Sequence, residues 1–130
     1  MALTMLTTVA IVPLAPAAAL AGHRVPDRVC DIPWTQGKRQ VKKLIRCAAR
    51  RWEVPGGPRK ALSVARCESG FNPAAYGGGN AGVYQQRIVY WPGRAKRWGF
   101  RGWRVYNGRA NAIVSIRMAH AGGWGPWSCA

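Results

Sequence analysis

Four cysteines, Cys30, Cys47, Cys67 and Cys129, follow an uncharged apolar leader, and this arrangement constrains the fold more than any other feature of the chain. Residues 1–21 carry no charged side chain and are rich in Ala, Leu, Val and Thr. Pro13 and Pro16 interrupt the run, and Ala19-Leu20-Ala21 before Gly22 is the small-residue pattern that signal peptidase accepts. The run is short and broken for a membrane span. A secretory signal over 1–21, cleaved near Ala21 with Ala19 as a second position, is therefore expected, with a retained anchor as the competing reading. The run has no Lys or Arg, so only the terminal amine supplies positive charge. Export together with an even number of cysteines predicts two disulfides. Three pairings are possible, and spacing does not choose among them. No pair has CxxC spacing and neither His23 nor His120 completes a zinc pattern, so no metal and no cofactor is expected.

The 130 residues suffice for one small domain, expected over 22–130, and a hydrophobic content of 48% permits a core. The Pro-containing stretch 22–37 reads as an extended lead-in. Over 38–52, Val41, Leu44, Ile45, Ala48 and Trp52 form a helical stripe, and Lys42, Lys43, Arg46, Arg50 and Arg51 fall largely off it as a solvated face. A second helix starts at Pro58 and stops at Gly70 and Pro73. The glycine-rich segment 71–80 reads as a loop rather than a regular strand, and 81–89 as a short strand or hairpin arm. A short helix over 91–98 has Pro92 in its first turn. After a loop over 100–108, the helix 109–121 is apolar almost all round and belongs at the centre. The class is mostly α: a small domain with an N-terminal helical extension and a short irregular or β segment.

The second helix carries the chemistry. Ala61, Val64, Ala65 and Glu68 share one face, so a carboxylate ends an apolar stripe. A charge there is costly unless paired or protonated, which marks Glu68 as a proton-transfer group. Acids are scarce: 20 basic residues face only Asp27, Asp31, Glu53 and Glu68, a net charge of +16. Asp27 and Asp31 lie in the lead-in, and Glu53 is expected to pair with Arg46, Arg50 or a neighbour. The excess of positive charge predicts anionic partners: nucleic acid, an anionic membrane surface or acidic cell-wall polymers.

Glu68-Ser69-Gly70-Phe71-Asn72-Pro73 resembles the catalytic motif of the soluble lytic transglycosylase family, which has a goose-type-lysozyme-like fold. The family's Gly-Leu-x-Gln segment is matched by Gly82-Val83-Tyr84-Gln85, its following Trp by Trp91, and its Asn-containing helix start by Arg109-Ala110-Asn111-Ala112-Ile113. Cys67-Glu68-Ser69-Gly70, with the terminal Trp124-Gly125-Pro126-Trp127-Ser128-Cys129, is similar to the resuscitation-promoting factors, which are secreted muralytic proteins. That second resemblance implies the pairing Cys67–Cys129, and with it Cys30–Cys47. The family's last helix often holds Ala-Tyr-Asn-Ala-Gly, but the stretch here is Ala119-His120-Ala121-Gly122-Gly123, and Tyr106 is the candidate to replace the missing Tyr.

The resemblance implies cleavage of the glycan strands of peptidoglycan at the β-1,4 bond after N-acetylmuramic acid. Glu68 would protonate the bridging oxygen, the substrate's 2-acetamido group would stabilise the sugar cation, and ionised Glu68 would then take the proton of the C6 hydroxyl. A 1,6-anhydro end results. A lone carboxylate fits that sequence better than the two-carboxylate division of labour of most glycosidases. Burial should raise the Glu68 pKa, as a general acid needs, provided that Arg66 and its neighbours point into solvent. Gln85 is a candidate to bond an N-acetyl group, with Asn111 similar, and Ser69 to support Glu68 or cap the loop. Tyr84, Tyr90 and Trp91 are candidates to stack on sugar rings, while most of the seven tryptophans belong in the core. A hydrolase of the same fold is the first alternative. A non-catalytic binder is the second, drawing on Arg94, Lys96, Arg97, Trp98, Arg101, Trp103 and Arg104. Secretion disfavours a specific nucleic-acid partner, and a monomer, secreted or cell-wall associated, is expected.

Overall fold

The computed structural model describes residues 23–130. The leader over 1–21 lies outside the described residues. Four α-helices and a small three-stranded antiparallel sheet make a mostly α domain. Helix α1 spans Lys38–Trp52 and α2 spans Gly57–Ser69; the sheet strands are β1 (Tyr76–Gly77), β2 (Asn80–Ala81) and β3 (Gln86–Arg87); α3 spans Trp91–Arg97 and α4 spans Gly108–Gly122.

Helix α1 buries Val41, Leu44, Ile45, Ala48 and Ala49, the stripe expected of its spacing, with Trp52 packed at the edge. That face meets both α2 and α4. Helix α2 buries Ala61, Val64 and Ala65 and ends at Gly70, whose left-handed backbone (φ 60°) lets its N–H reach the Arg66 carbonyl. Helix α4 is the hub. Its residues from Gly108 through Ile116 are all buried, together with Ala119, as a helix without a polar face must be. Asn107 caps it, its side chain accepting from the Ala110 N–H at 3.0 Å. No helix among the described residues is long and apolar enough to cross a membrane.

The lead-in docks rather than trails. The Val25 N–H donates to the Gly99 carbonyl at 3.1 Å, and the buried Arg109 guanidinium donates to the carbonyls of Pro26 and Val29. A cation is tolerated inside because backbone oxygens take up its donors.

Two readings are corrected. The glycine-rich segment is not a plain loop. Gly78 (φ 57°) and Gly79 (φ 82°) are both left-handed, which is what a two-residue turn between antiparallel strands requires, and so β1 pairs with β2 through Tyr76↔Ala81 and Gly77↔Asn80. Glu53 does not pair with an arginine: among the described residues the one ion pair is Arg24–Asp27. Glu53 sits exposed at the end of α1 with a left-handed backbone (φ 44°), and it is its carbonyl, not its carboxylate, that His120 Nδ1 meets at 2.8 Å.

The disulfides are Cys30–Cys47 and Cys67–Cys129. The first staples the lead-in to α1. The second ties the end of the chain to the last turn of α2, and Lys60 Nζ, from the first turn of the same helix, donates to the Ala130 carbonyl. Their sequence separations of 17 and 62 correspond to about 3 and about 4 kcal/mol in the chain-entropy model. Replacing Cys67 and Cys129 together by Ser is expected to cost about 3–4 kcal/mol in urea unfolding, and Cys30 with Cys47 about 2–3 kcal/mol. Equal losses for the two pairs would contradict the loop-length argument.

Candidate functional site

Glu68 occupies the last turn of α2, half-buried, and lines a cleft of about 290 Å³. The other lining residues come from three places: Asn80, Gln86 and Arg87 from the sheet with Gln85 from the turn before β3, Tyr90 from the 3₁₀ turn Ile88–Tyr90 with Arg94 from α3, and Pro126, Trp127 and Ser128 from the chain end. Loss of water around the carboxyl raises the Glu68 pKa, and the nearby backbone amide of Cys129 pulls it the other way to a smaller extent. Arg66 is exposed, its guanidinium 6.0 Å from the Phe71 ring, so it leaves the balance to desolvation. Among the described residues no second acid lines the cleft.

The sheet side of the cleft is held from beneath by Asn111. Its Oδ1 accepts from the Tyr84 N–H at 2.9 Å, and its Nδ2 donates to the carbonyls of Ala81 and Val105. The turn can come this close because residue 82 is glycine. A Cβ there would lie 2.3 Å from Asn111 Nδ2, and the backbone is left-handed at φ 80°. Val83 and Tyr84 then drop into the core, and Gln85, itself left-handed at φ 49°, turns back toward the cleft. The segment Gly82-Val83-Tyr84-Gln85 thus has a physical reading: close approach, two core anchors, one returning amide.

Several sequence-predicted site residues serve this framework instead of the cleft. Tyr84 is fully buried. Its hydroxyl donates to the Ala61 carbonyl at 2.8 Å, and burial pushes the phenol well above its usual pKa, so no face is left for a sugar. Asn111 is likewise fully buried, with its amide used up, and the cap of α4 is Asn107. Trp91 is buried with its Nε1 donating to the Trp103 carbonyl at 2.7 Å. Ser69 Oγ donates to the Val83 carbonyl at 2.6 Å and accepts from the Asn72 N–H, joining the helix end to the turn. It does not line the cleft. Tyr106 lies in a different groove of about 630 Å³, with Trp34 and Trp103.

Three predicted residues do come together: Glu68, Gln85 and Tyr90. Gln85 Nε2 donates to the carbonyls of Ala75 and Gly82, which fixes its amide plane at the cleft edge. Tyr90 is 56% exposed, so it is the ring presented to the cleft. Asn80, Gln86, Arg87, Trp127 and Ser128 do not figure among the residues expected at the site, and Arg94 figures only in the cationic stretch of the binding alternative. Strand alternation gives no signal for Gln86, because Gln85 is left-handed (φ 49°) and both amides line the same cleft. The spacing of Tyr90 and Arg94 does hold one, since residues four apart share a helix face. All seven tryptophans are in the core or packed against it.

The chain matches no protein-family model, no curated protein and no solved structure.

Asn111→Ala strands the Tyr84 N–H and two carbonyls inside the core and is expected to cost about 3 kcal/mol or more. Gly82→Ala is expected to cost about 2 kcal/mol or more, since the added methyl meets both Asn111 and the Val105 carbonyl. Denaturant midpoints measure both. Glu68 gives a pH signature. Its native pKa lies above the ordinary 4.5, so its contribution to stability is full below the unfolded pKa and is lost as pH rises through the native one. The stability of wild type relative to Glu68→Gln should therefore fall as pH rises from below the ordinary carboxylate range through the raised native pKa. A rise over that range would show that the Cys129 amide outweighs desolvation.

Proposed function

We propose that this chain is a secreted peptidoglycan lytic transglycosylase with Glu68 as its acid and base. One observation carries the reading: among the described residues, a half-buried carboxyl with raised proton affinity is the sole acid lining a cleft. Such a group is protonated where a free glutamate is not, and it stands beside space for a polar ligand.

The chemistry follows from having one acid. Protonation of the bridging oxygen releases the leaving sugar and leaves Glu68 as a carboxylate. With no second carboxylate lining the cleft, the developing cation is stabilised by the substrate's own acetamido group. The ionised Glu68 then accepts the C6 hydroxyl proton as that oxygen closes on the anomeric carbon, and the acid is regenerated. Gln85, its amide held by two carbonyls, is placed to orient an acetamido group, and Tyr90 offers an exposed ring to a sugar face. The disulfides and the apolar leader support export, and the positive surface supports attraction to wall carboxylates and phosphates.

Mass spectrometry of products from purified peptidoglycan tests the reading. 1,6-Anhydro ends are expected, and Glu68→Gln should lower their rate of formation by about 10²–10⁴ while leaving salt-sensitive adhesion to the wall intact. Reducing ends would make the protein a hydrolase of the same bond. An undigested wall would leave a cationic binder.

A further inference from the structure

The cleft that holds Glu68 also holds a guanidinium that makes no ion pair among the described residues. Arg94 lies in α3 and lines the cleft, with its Cζ 5.2 Å from the Tyr90 ring. Its Nη1 donates to Gln86 Oε1 at 2.7 Å. Gln86 is 1% exposed, and its Nε2 donates to Ser115 Oγ at 2.7 Å in the centre of α4. The acceptor that aims Arg94 is thus itself locked into the most buried helix. The only ion pair among the described residues is Arg24–Asp27, so no described carboxylate, Glu68 included, lies within ion-pair distance of Arg94. Arg87 adds a second cation to the lining of the same cleft.

A cation partly withdrawn from water and lacking a counter-charge costs free energy that a bound anion recovers. One edge of the planar fork is used by Gln86. The remaining donors suit a planar carboxylate, which guanidinium binds in a bidentate way and ammonium does not.

The geometry points to Arg94 as a specificity-determining residue that binds a carboxylate borne by the glycan strand in the Glu68 cleft, with Gln86 as the positioning residue that aims it. This rests on reading the cleft as a glycan site. A muramyl sugar has two sources of that group. Its lactyl substituent ends in a free carboxylate when no peptide is attached. When a peptide is attached, the lactyl carboxylate becomes an amide and the peptide supplies carboxylates of its own.

Three sugars, titrated into the protein by NMR, separate these cases. N-acetylglucosamine is neutral, N-acetylmuramic acid carries the free lactyl carboxylate, and N-acetylmuramoyl-L-alanyl-D-isoglutamine carries only the peptide's. At least one carboxylated sugar is expected to bind about tenfold or more tightly than N-acetylglucosamine, and whichever does names the source. The preference should vanish in Arg94→Gln and shrink in Arg94→Lys, which keeps the charge without the fork. It should persist in Arg97→Gln, which loses the same charge at an exposed position outside the cleft. The wild-type comparison stands even where a variant fails to fold. Equal affinity for all three sugars, no binding of either carboxylated one, or a preference that survives Arg94→Gln overturns the assignment. Wall digestion measured alongside keeps the two readings apart. A carboxylate preference without Glu68-dependent digestion removes the enzyme and leaves the subsite, whereas digestion without the preference removes the subsite alone.

Discussion

The buried amide of Asn111 is the interaction on which the site depends. It stands on α4, the helix that α1 packs against, and spends its hydrogen bonds on Tyr84, Ala81 and Val105. The β2 end with its turn and the loop before α4 therefore meet at one side chain. Buried backbone groups in a turn have no helix or strand ladder to satisfy them, and an amide that both donates and accepts solves that problem in a small space. Tyr84 passes the constraint on. Its hydroxyl bonds to α2, its carbonyl accepts from Trp127 Nε1, and its ring packs against Trp124 and Trp127 at 6.0 and 6.3 Å. The helix that carries Glu68 and the chain end that walls the cleft are both fastened to the turn that carries Gln85.

The second organising fact is a shortage of acids. Twenty basic residues and four acidic ones cannot make a surface of ion pairs. Aromatic faces take the place of carboxylates. Lys42 and Arg66 lie over Phe71, Arg117 over Trp52 and Trp98, Arg97 over Trp98, and Arg109 over Phe100. Each such contact is worth about 0.5–1 kcal/mol at exposed positions. A carboxyl at the end of an apolar stripe responds to its loss of water more than to the charge around it, which is the condition for a proton donor in so basic a protein.

Much of the fold was legible because it rests on periodicity. The stripe Val41, Leu44, Ile45, Ala48 is buried as its spacing demands, and the all-round apolar run of the last helix is central because it has no face fit for water. Pro58 and Gly70 bracket α2 for local steric reasons. The site was legible only in part. Glu68, Gln85 and Tyr90 line one cleft, whereas Tyr84, Trp91, Asn111 and Ser69 are turned inward or spent on backbone, and Tyr106 lies in another groove. An aromatic ring or an amide reads the same in a sequence whether it binds a ligand or a carbonyl. The hairpin over 76–81 was hidden for a related reason: consecutive glycines permit both a loose loop and a tight turn, and the pairing of Tyr76 with Ala81 is what selects the turn.

The residues by themselves determined the helices, their buried faces and the solitary acid at the end of one stripe, because spacing along a chain is enough to define a face. Which cysteines joined, which amides were consumed and which arginine came to line the Glu68 cleft were decided only when distant segments met. Gln86 becomes a bracket for Arg94 only because Ser115, far along the chain, reaches it inside α4. A hydrogen bond needs its partner within about 3 Å in a defined direction, and no local pattern carries that information.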